Sequence, residues 1–283
     1  MTKTVRALLA YGVERFEKAG LSYGHGTDNA LDEAAWLILH SLGLPLDELN
    51  PHLDVPLTDP QYRAAKALLD QRVRSRKPAA YLTHEAWLGK HRFYVDERVI
   101  VPRSFIAELL RSPSCSPAAV LDLCTGSGCL AILAALAWPQ AKVDAADLSD
   151  DALAVAKKNV AAYKLARRVR LVKSDLFSAL ATRKYDLIIS NPPYVKASSM
   201  RKLPEEYRRE PEMALASGAD GLDHTKRILA KAKEHLNPEG MLVVEIGHNR
   251  AALERAYPKL PFEWPRFASG SGYVFTISCG HLQ

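Results

Sequence analysis

The chain has 283 residues, of which 48% are hydrophobic and 25% charged, which is enough apolar material for one large domain or two unequal globular domains. Its net charge of +6 favours an acidic partner such as RNA. No apolar stretch approaches bilayer-spanning length, and the first residues lack the pattern of a signal peptide. We therefore expect a cytoplasmic protein that is not associated with a membrane.

The cysteines and histidines give no sign of a metal site or a disulfide framework. The four cysteines lack C-x-x-C pairing, and the nine histidines form no ligand motif such as H-E-x-x-H. The sequence therefore predicts no structural metal and reduced thiols at Cys115, Cys124, Cys129 and Cys279.

The N-terminal part of the chain is predicted to be helical, because apolar residues recur there at a spacing of three and four. The first helix ends near Gly20, and the third opens at Thr58, whose hydroxyl suits a helix N-terminus. Thr27 or Asp28 can cap the second helix. We interpret residues 1–82 as a small helical domain.

The pattern then changes from helix to strand. Alternating apolar residues on both sides of Gly89 predict a β-hairpin, and we interpret residues 83–103 as a connector. In residues 104–283, apolar runs alternate with helical patterns, which is typical of a parallel sheet with helices on both faces. An antiparallel pair at one edge is predicted at 262–267 and 273–278. The remaining strands are predicted at 119–123, 142–146, 169–172, 185–190 and 241–246, and the helices at 128–137, 150–163 and 224–235.

The strand predicted at 119–123 runs into a glycine-rich turn. Gly126 and Gly128 allow the backbone to turn sharply and to approach a ligand closely. The helix that follows offers free N–H groups to an anion or a carboxylate. The turn also contains the predicted cofactor-binding residues Cys124, Thr125 and Ser127. Its G-x-G-x-x-A spacing satisfies the dinucleotide fingerprint as well, so NAD competes with S-adenosylmethionine as the cofactor.

Two carboxylates lie at the ends of the first two strands. Asp122 precedes the turn, where it can hold the ammonium group of S-adenosylmethionine but would repel a pyrophosphate. Asp147, followed by Leu148, ends the second strand, where an acid can accept both hydroxyls of a ribose. A helix N-cap is the alternative role for Asp147, although Ser149 and Asp150 suit that role better.

A third carboxylate, Asp175, follows the strand predicted at 169–172. It is either a turn residue or an acceptor for the amino group of an adenine. In the second case Leu176 or Phe177 would pack on the adenine ring. Asp122 and the corner at 191–194, which supplies a methyl-acceptor site and no obvious hydride chemistry, favour S-adenosylmethionine over NAD.

Asn191, Pro192, Pro193 and Tyr194 directly follow the strand predicted at 185–190. Each proline removes a backbone N–H and fixes φ, and the first proline keeps Asn191 out of the helical region. The corner is therefore rigid and rich in hydrogen-bond acceptors. Such a corner suits a planar –NH2 group, whose two hydrogens both need acceptors. The alternative is a simple loop terminated by prolines.

With these motifs, the chain resembles the HemK-like class I methyltransferases, which methylate protein glutamine on its side-chain nitrogen. The resemblance covers nearly the whole chain. It implies a seven-stranded Rossmann-like α/β sheet preceded by a helical substrate-recognition domain. Residues 93–104, 122–129 and 200–208 are similar to the PrmB branch, which acts on the third large-subunit ribosomal protein, either free or in an assembling particle. The pair Glu210-Pro211 is shared with the sister branch, which methylates peptide-chain release factors.

Two residues depart from the pattern of this family. Cys124 replaces a glycine that is common in the wider family, and a cysteine is tolerated there if its φ is negative. Phe105 stands where proline is more usual in the branch, which affects the start of the next helix and not the chemistry. We assign no catalytic role to Arg103, Glu245 or His248.

The resemblance implies S-adenosylmethionine as the methyl donor and S-adenosylhomocysteine as the product. Asn191 Oδ1 and the Pro192 carbonyl would accept the two hydrogens of the glutamine amide, and Tyr194 would pack on its plane. Alignment of nitrogen, methyl group and sulfur would then supply much of the acceleration. Proximity to rRNA is a further expectation. The alternatives are methylation of a release factor, methylation of an amino group of a nucleic-acid base, an NAD-dependent oxidoreductase and a non-catalytic regulator.

Overall fold

The computed structural model describes residues 3–111, 116–268 and 270–282. Cys115 lies outside these residues, and the described cysteines are free thiols. Within the described part of the chain, no helix is both long and apolar enough to cross a membrane. Two compact units are present: the first comprises Met1–Ala86, Val95–Glu97 and Leu203–Arg209, and the second Trp87–Tyr94, Arg98–Lys202 and Glu210–Gln283.

The first unit is built from helices, as predicted. Thr58 opens the third of them with a complete capping box: its side chain accepts from the Gln61 N–H, and the Gln61 side chain accepts from the Thr58 N–H. The capping box thus gives partners to two backbone N–H groups at the start of α3 that would otherwise need water. The helices are α1 (Val5–Lys18), α2 (Ala30–Leu42), α3 (Asp59–Ser75) and α4 (Ala79–Thr83).

The predicted cap of α2 is wrong. Asn29, and not Thr27 or Asp28, caps the helix, because its side chain accepts from the Asp32 N–H at 2.9 Å. The Thr27 hydroxyl donates instead to Glu33, at 3.1 Å. Both residue types suit an N-cap, so the choice depends on where the chain enters the helix.

A buried ionic network joins the segment Leu203–Arg209 to α2 and α3 within the first unit. Arg72 is fully buried; its Nε donates to Glu33 at 2.5 Å, and its guanidinium reaches Glu206 at 3.4 Å. Arg76 also donates to Glu206, at 3.2 Å. Because a buried charge is tolerated only when it is paired, these contacts hold a segment that is distant in sequence against the helices.

The rest of the chain alternates strands and helices. Its first two strands form the predicted hairpin. The elements are, in chain order, β1 (Ala86–Leu88), β2 (His91–Phe93), α5 (Ile106–Arg111), β3 (Ala119–Leu123), α6 (Cys129–Ala137), β4 (Lys142–Asp147), α7 (Asp150–Ala162), β5 (Val169–Lys173), β6 (Tyr185–Ser190), α8 (Ala197–Met200), α9 (Asp223–His235), β7 (Leu236–Glu245), α10 (Arg250–Ala256), β8 (Arg266–Phe267), β9 (Gly270–Ser271) and β10 (Val274–Ser278).

The main sheet has six strands in the described part of the chain, in the order β10-β7-β6-β3-β4-β5. All neighbours are parallel except β10, which pairs antiparallel with β7. The expected seventh strand is reduced to one antiparallel bridge between Glu263 and Thr276. Pro261 and Pro265 flank Glu263 and cannot donate to a ladder, so the pairing does not extend. β8 and β9 form a separate two-stranded sheet.

Each face of the sheet contributes to its own apolar cluster. Val120 belongs to one cluster together with residues of α6, whereas Leu121 and Leu123 belong to the other together with residues of α9. Because side chains alternate along a strand, Asp122 lies on the same face as Val120, toward α6. This placement directs a carboxylate to the start of that helix.

The strand pairing brings the predicted functional turns to one edge of the sheet. Leu123, the last residue of β3, pairs with Ala146 on one side and Ser190 on the other. The residues that follow these positions, Asp147 after Ala146 and Asn191 after Ser190, therefore lie beside the turn after β3. Chain order runs in opposite directions on the two sides of β3, which makes this edge the usual place for a ligand in an open α/β sheet.

Arg72→Ala should destabilise the first unit by about 3–5 kcal/mol, because Glu33 would remain buried without a cation. Urea unfolding monitored by circular dichroism measures the change in the free energy of unfolding. Arg63→Ala, at an exposed position of α3, is the matched control and should change that free energy by less than about 0.5 kcal/mol. Equal small effects of both substitutions would contradict the importance of the network.

Candidate active site

A cleft opens at the carboxyl edge of β3, β4, β5 and β6, where an open α/β sheet usually binds a small molecule. The turn after each of these strands contributes to its lining. The cleft thus brings together eight of the predicted residues: Cys124, Gly126, Asp147, Leu148, Asp175, Leu176, Asn191 and Pro193.

Asp122 is buried beneath the glycine-rich turn and stabilises it. Its Oδ2 accepts from the Thr125 hydroxyl at 2.5 Å and from the Ala131 N–H at 3.0 Å. Its Oδ1 has no hydrogen-bond partner among the described residues. Burial raises the pKa of Asp122 to about 7, so its neutral and ionised forms are similarly populated at neutral pH. A buried carboxylate oxygen without a partner suits a cationic group of a ligand.

Cys124 does not have the backbone conformation that a cysteine tolerates. Its φ is +58°, in the left-handed region that favours glycine. The condition of a negative φ, under which we expected cysteine to be tolerated, is therefore not met. The thiol lines the cleft, and burial raises its pKa, as do the nearby charges of Asp147 and Asp122. The thiol is therefore protonated at neutral pH.

Asp147 connects the first turn to the second. Its Oδ2 accepts from the Gly126 N–H at 2.8 Å, and its Oδ1 accepts from the Ser149 N–H at 2.9 Å. Ser149 is the N-cap of α7, and its side chain accepts from Ala152, so the prediction that Asp147 leaves the capping role to a neighbour is confirmed. Each oxygen of Asp147 keeps a further lone pair with which a hydroxyl can bond. Burial raises the pKa of Asp147.

The turn after β5 places one apolar residue and one acid at the cleft. Leu176 has a φ of +51° and lines the cleft, and its carbonyl accepts from Ser174 Oγ at 2.6 Å. Phe177 lies elsewhere, stacked on His235 with ring centroids 4.5 Å apart. Asp175 lines the cleft with one oxygen engaged, because Oδ2 accepts from Arg227 at 2.7 Å.

The corner after β6 meets the same cleft. Asn191 and Pro193 line it, and Pro192 is buried. Burial raises the pKa of Tyr194, and the charge of Glu245 raises it further. Its ring packs against Gly247, where a Cβ would lie 2.8 Å from Cε2.

Six predicted residues lie outside the lining of the cleft formed by the described residues: Asp122, Thr125, Ser127, Gly128, Pro192 and Tyr194. The predicted residues in the turn after β3 lie behind the residues that line the cleft. The Ser127 carbonyl accepts from Asn159 at 2.8 Å, and Gly128 is so close to α7 that a Cβ would lie 3.1 Å from that of Ala156. They therefore shape the cleft without lining it.

Sequence reasoning missed part of the rim, which residues 98–100, 211 and 213–214 form. Glu210 joins these two segments. It accepts from both terminal nitrogens of Arg103 at 2.6 Å and from the Val101 N–H at 2.9 Å. The pair Glu210-Pro211 was visible in the sequence, but only as a motif shared by two branches of a family. His224, which also lines the cleft, is bonded to Ser217 at 2.9 Å, and burial lowers its pKa.

The parallel sheet, the glycine turn, the acid after the second strand and the N-P-P-Y corner that meet at one cleft are the features expected from the resemblance to class I methyltransferases. Residues 103–218 match the family described as "Methyltransferase small domain", and residues 7–83 match "PrmC N-terminal domain". The chain belongs to the family of ribosomal protein uL3 glutamine methyltransferases.

Membership in this family follows from similarity over nearly the whole chain. The relative from Neisseria meningitidis serogroup B is 55% identical over 97% of this chain and 93% of its own length. The relative from Burkholderia pseudomallei is 53% identical over 99% of this chain and 96% of its own length. Both bear the name ribosomal protein uL3 glutamine methyltransferase.

Solved structures resemble this chain in fold alone. The hMettl16 catalytic domain, in complex with the MAT2A 3′UTR hairpin 6, has a TM-score of 0.51 and 16% identity, covering 78% of this chain and 82% of that one. A methyltransferase from Pyrococcus furiosus has a TM-score of 0.50 and 17% identity, covering 74% of this chain and 98% of that one. The predicted class I α/β fold is thus confirmed.

Asp122→Asn should remove a pH dependence of stability. Because the folded-state pKa is raised from 3.8 to about 7, the stabilisation from binding this proton is full below about pH 4 and is lost as the pH rises through 7. Between pH 5 and 8 the natural chain should lose about 2–3 kcal/mol through this group, and the variant should not. Urea unfolding of both chains across that range measures the difference, and parallel curves would contradict it.

Cys124→Gly should be more stable than Cys124→Ala by about 1 kcal/mol, because only glycine relieves the strain of a left-handed φ. Both variants lose the thiol, so the comparison isolates the backbone contribution. In most positions alanine is the more stable of the two residues, and thermal unfolding that gives this ordinary order would contradict the strained turn.

Proposed function

We propose that this protein transfers a methyl group from S-adenosylmethionine to the side-chain amide nitrogen of a glutamine in ribosomal protein uL3. One observation carries the proposal: Asn191 and Pro193 line the same cleft as Gly126 and Asp147, so the corner that suits a carboxamide and the turns that suit a cofactor share one cavity. The names of relatives that are 52–55% identical support glutamine and uL3 as the target.

The residues of the cleft fit S-adenosylmethionine. Asp147 would hold the ribose hydroxyls, with Leu148 beside it. Leu176 would pack on the adenine ring. Asp175 would accept a hydrogen bond from the adenine amino group. Asp122 lies beneath the glycine-rich turn, and its unpartnered Oδ1 supports a contact with the ammonium group of the cofactor. A carboxylate at the same place would repel the pyrophosphate of NAD. Bound there, S-adenosylmethionine supplies an electrophilic methyl group and leaves as S-adenosylhomocysteine.

The corner would make the amide nitrogen reactive by orientation. An amide nitrogen is a poor nucleophile, because its lone pair is delocalised into the carbonyl group. Asn191 Oδ1 and the Pro192 carbonyl would accept its two hydrogens and turn the lone pair toward the methyl group. The same acceptors would stabilise the positive charge that develops on nitrogen. Water can then take one of these protons, so the chemistry requires no general base.

Tyr194 would restrict the plane of the amide from the end of the corner. The contact of its ring with Gly247 and the hydrogen bond from Asn249 to its backbone carbonyl support a fixed ring at this position.

We also propose that the reaction takes place close to rRNA. The net charge of +6 supports proximity to rRNA while uL3 is free or part of an assembling particle. We propose the cytoplasm as the place of action, because the target is a ribosomal protein.

Asn191→Ala and Asp147→Ala should separate chemistry from cofactor binding. The first should lower kcat for uL3 by about 10²–10³-fold and change the Kd of S-adenosylmethionine by less than about twofold. The second should weaken cofactor binding by at least about tenfold, because it removes a charged acceptor of two hydroxyls. Radiolabelled methyl transfer and calorimetry measure the two effects; equal losses in both assays for Asn191→Ala would mean that Asn191 is structural.

The target is tested by intact-mass analysis of purified uL3, a release factor and an RNA fragment, each incubated with the enzyme and labelled cofactor. Methylation of uL3 at a glutamine is the expected result. Methylation of the release factor or the RNA alone would overturn the proposed substrate. A thermal shift with NAD but not with S-adenosylmethionine would overturn the reaction class.

A further inference from the structure

Three residues at the end of β7 act on Tyr194: Glu245, Gly247 and Asn249. Gly247 lies against its ring, and Asn249 Nδ2 donates to its backbone carbonyl at 2.8 Å. The charge of Glu245 acts on its hydroxyl and raises its pKa. A single short segment thus contacts both the backbone and the ring of the tyrosine of the N-P-P-Y corner.

The contact between Gly247 and the ring leaves no space for another residue. Gly247 has a φ of +54°, and a Cβ there would lie 2.8 Å from Cε2 of Tyr194 and 2.9 Å from its Cδ2. Real Cβ atoms do not approach other atoms so closely, and a left-handed φ favours glycine independently. The backbone of this segment therefore sets the distance at which it meets the ring.

Glu245 is itself held from the other side. Its side chain is buried, and its Oε2 accepts from Ser104 Oγ at 2.7 Å and from the Phe105 N–H at 3.0 Å. A proline at position 105 would have no N–H to donate. In this chain Phe105 thus adds a donor that fixes the carboxylate before α5 begins.

We infer that Glu245 and Asn249 are positioning residues for methyl transfer, which act through Tyr194 to hold the N-P-P-Y corner in the orientation that Asn191 needs. Neither residue lines the cleft formed by the described residues, so neither is a catalytic residue. The inference rests on the proposed function, because it assigns these contacts to the acceptor corner of that reaction.

The charges around Glu245 make its interaction with Tyr194 sensitive to pH. Burial raises the pKa of Glu245 to about 7. The charged groups that act on this pair are Arg103, which precedes α5, and Glu210, which follows the corner and neutralises Arg103 in a bidentate pair. His248 in the loop after β7 lies edge-on to the Tyr273 ring. Because the charge of Glu245 acts on the Tyr194 hydroxyl, ionisation of Glu245 changes the electrostatic environment of that hydroxyl as the pH rises through 7.

This interaction is tested without any activity measurement by NMR of the protein labelled with ¹³C-tyrosine, in which Tyr194→Phe identifies the Tyr194 signal. We expect this signal to titrate with a midpoint near pH 7 in the natural chain and to lose this titration in Glu245→Gln. An identical titration in both chains, or none in the natural chain, would overturn the inference.

The consequence for the reaction is tested by kinetics on uL3. Glu245→Gln and Asn249→Ala should each lower kcat by about tenfold or more, because small displacements of a reacting geometry are costly, while the KM for uL3 and the Kd of the cofactor stay within about twofold. Glu254→Gln, on the exposed face of α10 where Glu254 pairs with Arg250, is the matched control and should keep its kcat.

The outcomes separate the two proposals. If the natural chain does not methylate uL3, the proposed function fails, and the NMR titration still decides whether Glu245 controls Tyr194. If it does methylate uL3 and Glu245→Gln behaves like Glu254→Gln, the inference fails alone. The inference is also overturned if kcat falls in Glu245→Gln while Tyr194 titrates in that variant as it does in the natural chain, because Glu245 would then act by another route.

Discussion

The site depends on the register with which β3 pairs with its two neighbours. Leu123 lies between Ala146 and Ser190, so the residues that follow all three positions emerge at one edge of the sheet. A shift of one residue in either pairing would turn the side chains of a strand to the opposite face and separate the acid at the end of β4 from the corner after β6. Packing of apolar side chains on both faces of the sheet is what makes such a shift costly.

Buried carboxylates connect the elements that meet at this edge of the sheet. Asp122 joins the turn after β3 to the start of α6, Asp147 joins that turn to α7, and Glu245 joins the end of β7 to the start of α5. In each case burial raises the pKa of the acid, and N–H or O–H donors from a neighbouring element offset part of that cost. In the first unit Glu33 is likewise a buried carboxylate, and its main partner is Arg72.

Local sequence patterns predicted the elements and eight of the eighteen residues that line the cleft, whereas long-range contacts were not predictable. The strands at 119–123 and 185–190 were located to the residue, because a buried strand is a continuous apolar run with turn residues after it. The left-handed φ of Cys124 and the bridge that replaces the seventh strand depend on tertiary context. So does Glu210, whose partners Val101 and Arg103 lie more than one hundred residues away and have no local signature.

The left-handed turn has a further consequence for selectivity. It places the thiol of Cys124 at the cleft, where in the proposed reaction it would sit in the same cavity as an alkylating agent. A thiolate is a far better nucleophile than an amide and would compete for the electrophile by self-alkylation. Burial and the nearby aspartates raise the pKa of this thiol, so in the proposed reaction the protonated thiol would compete only weakly for the methyl group.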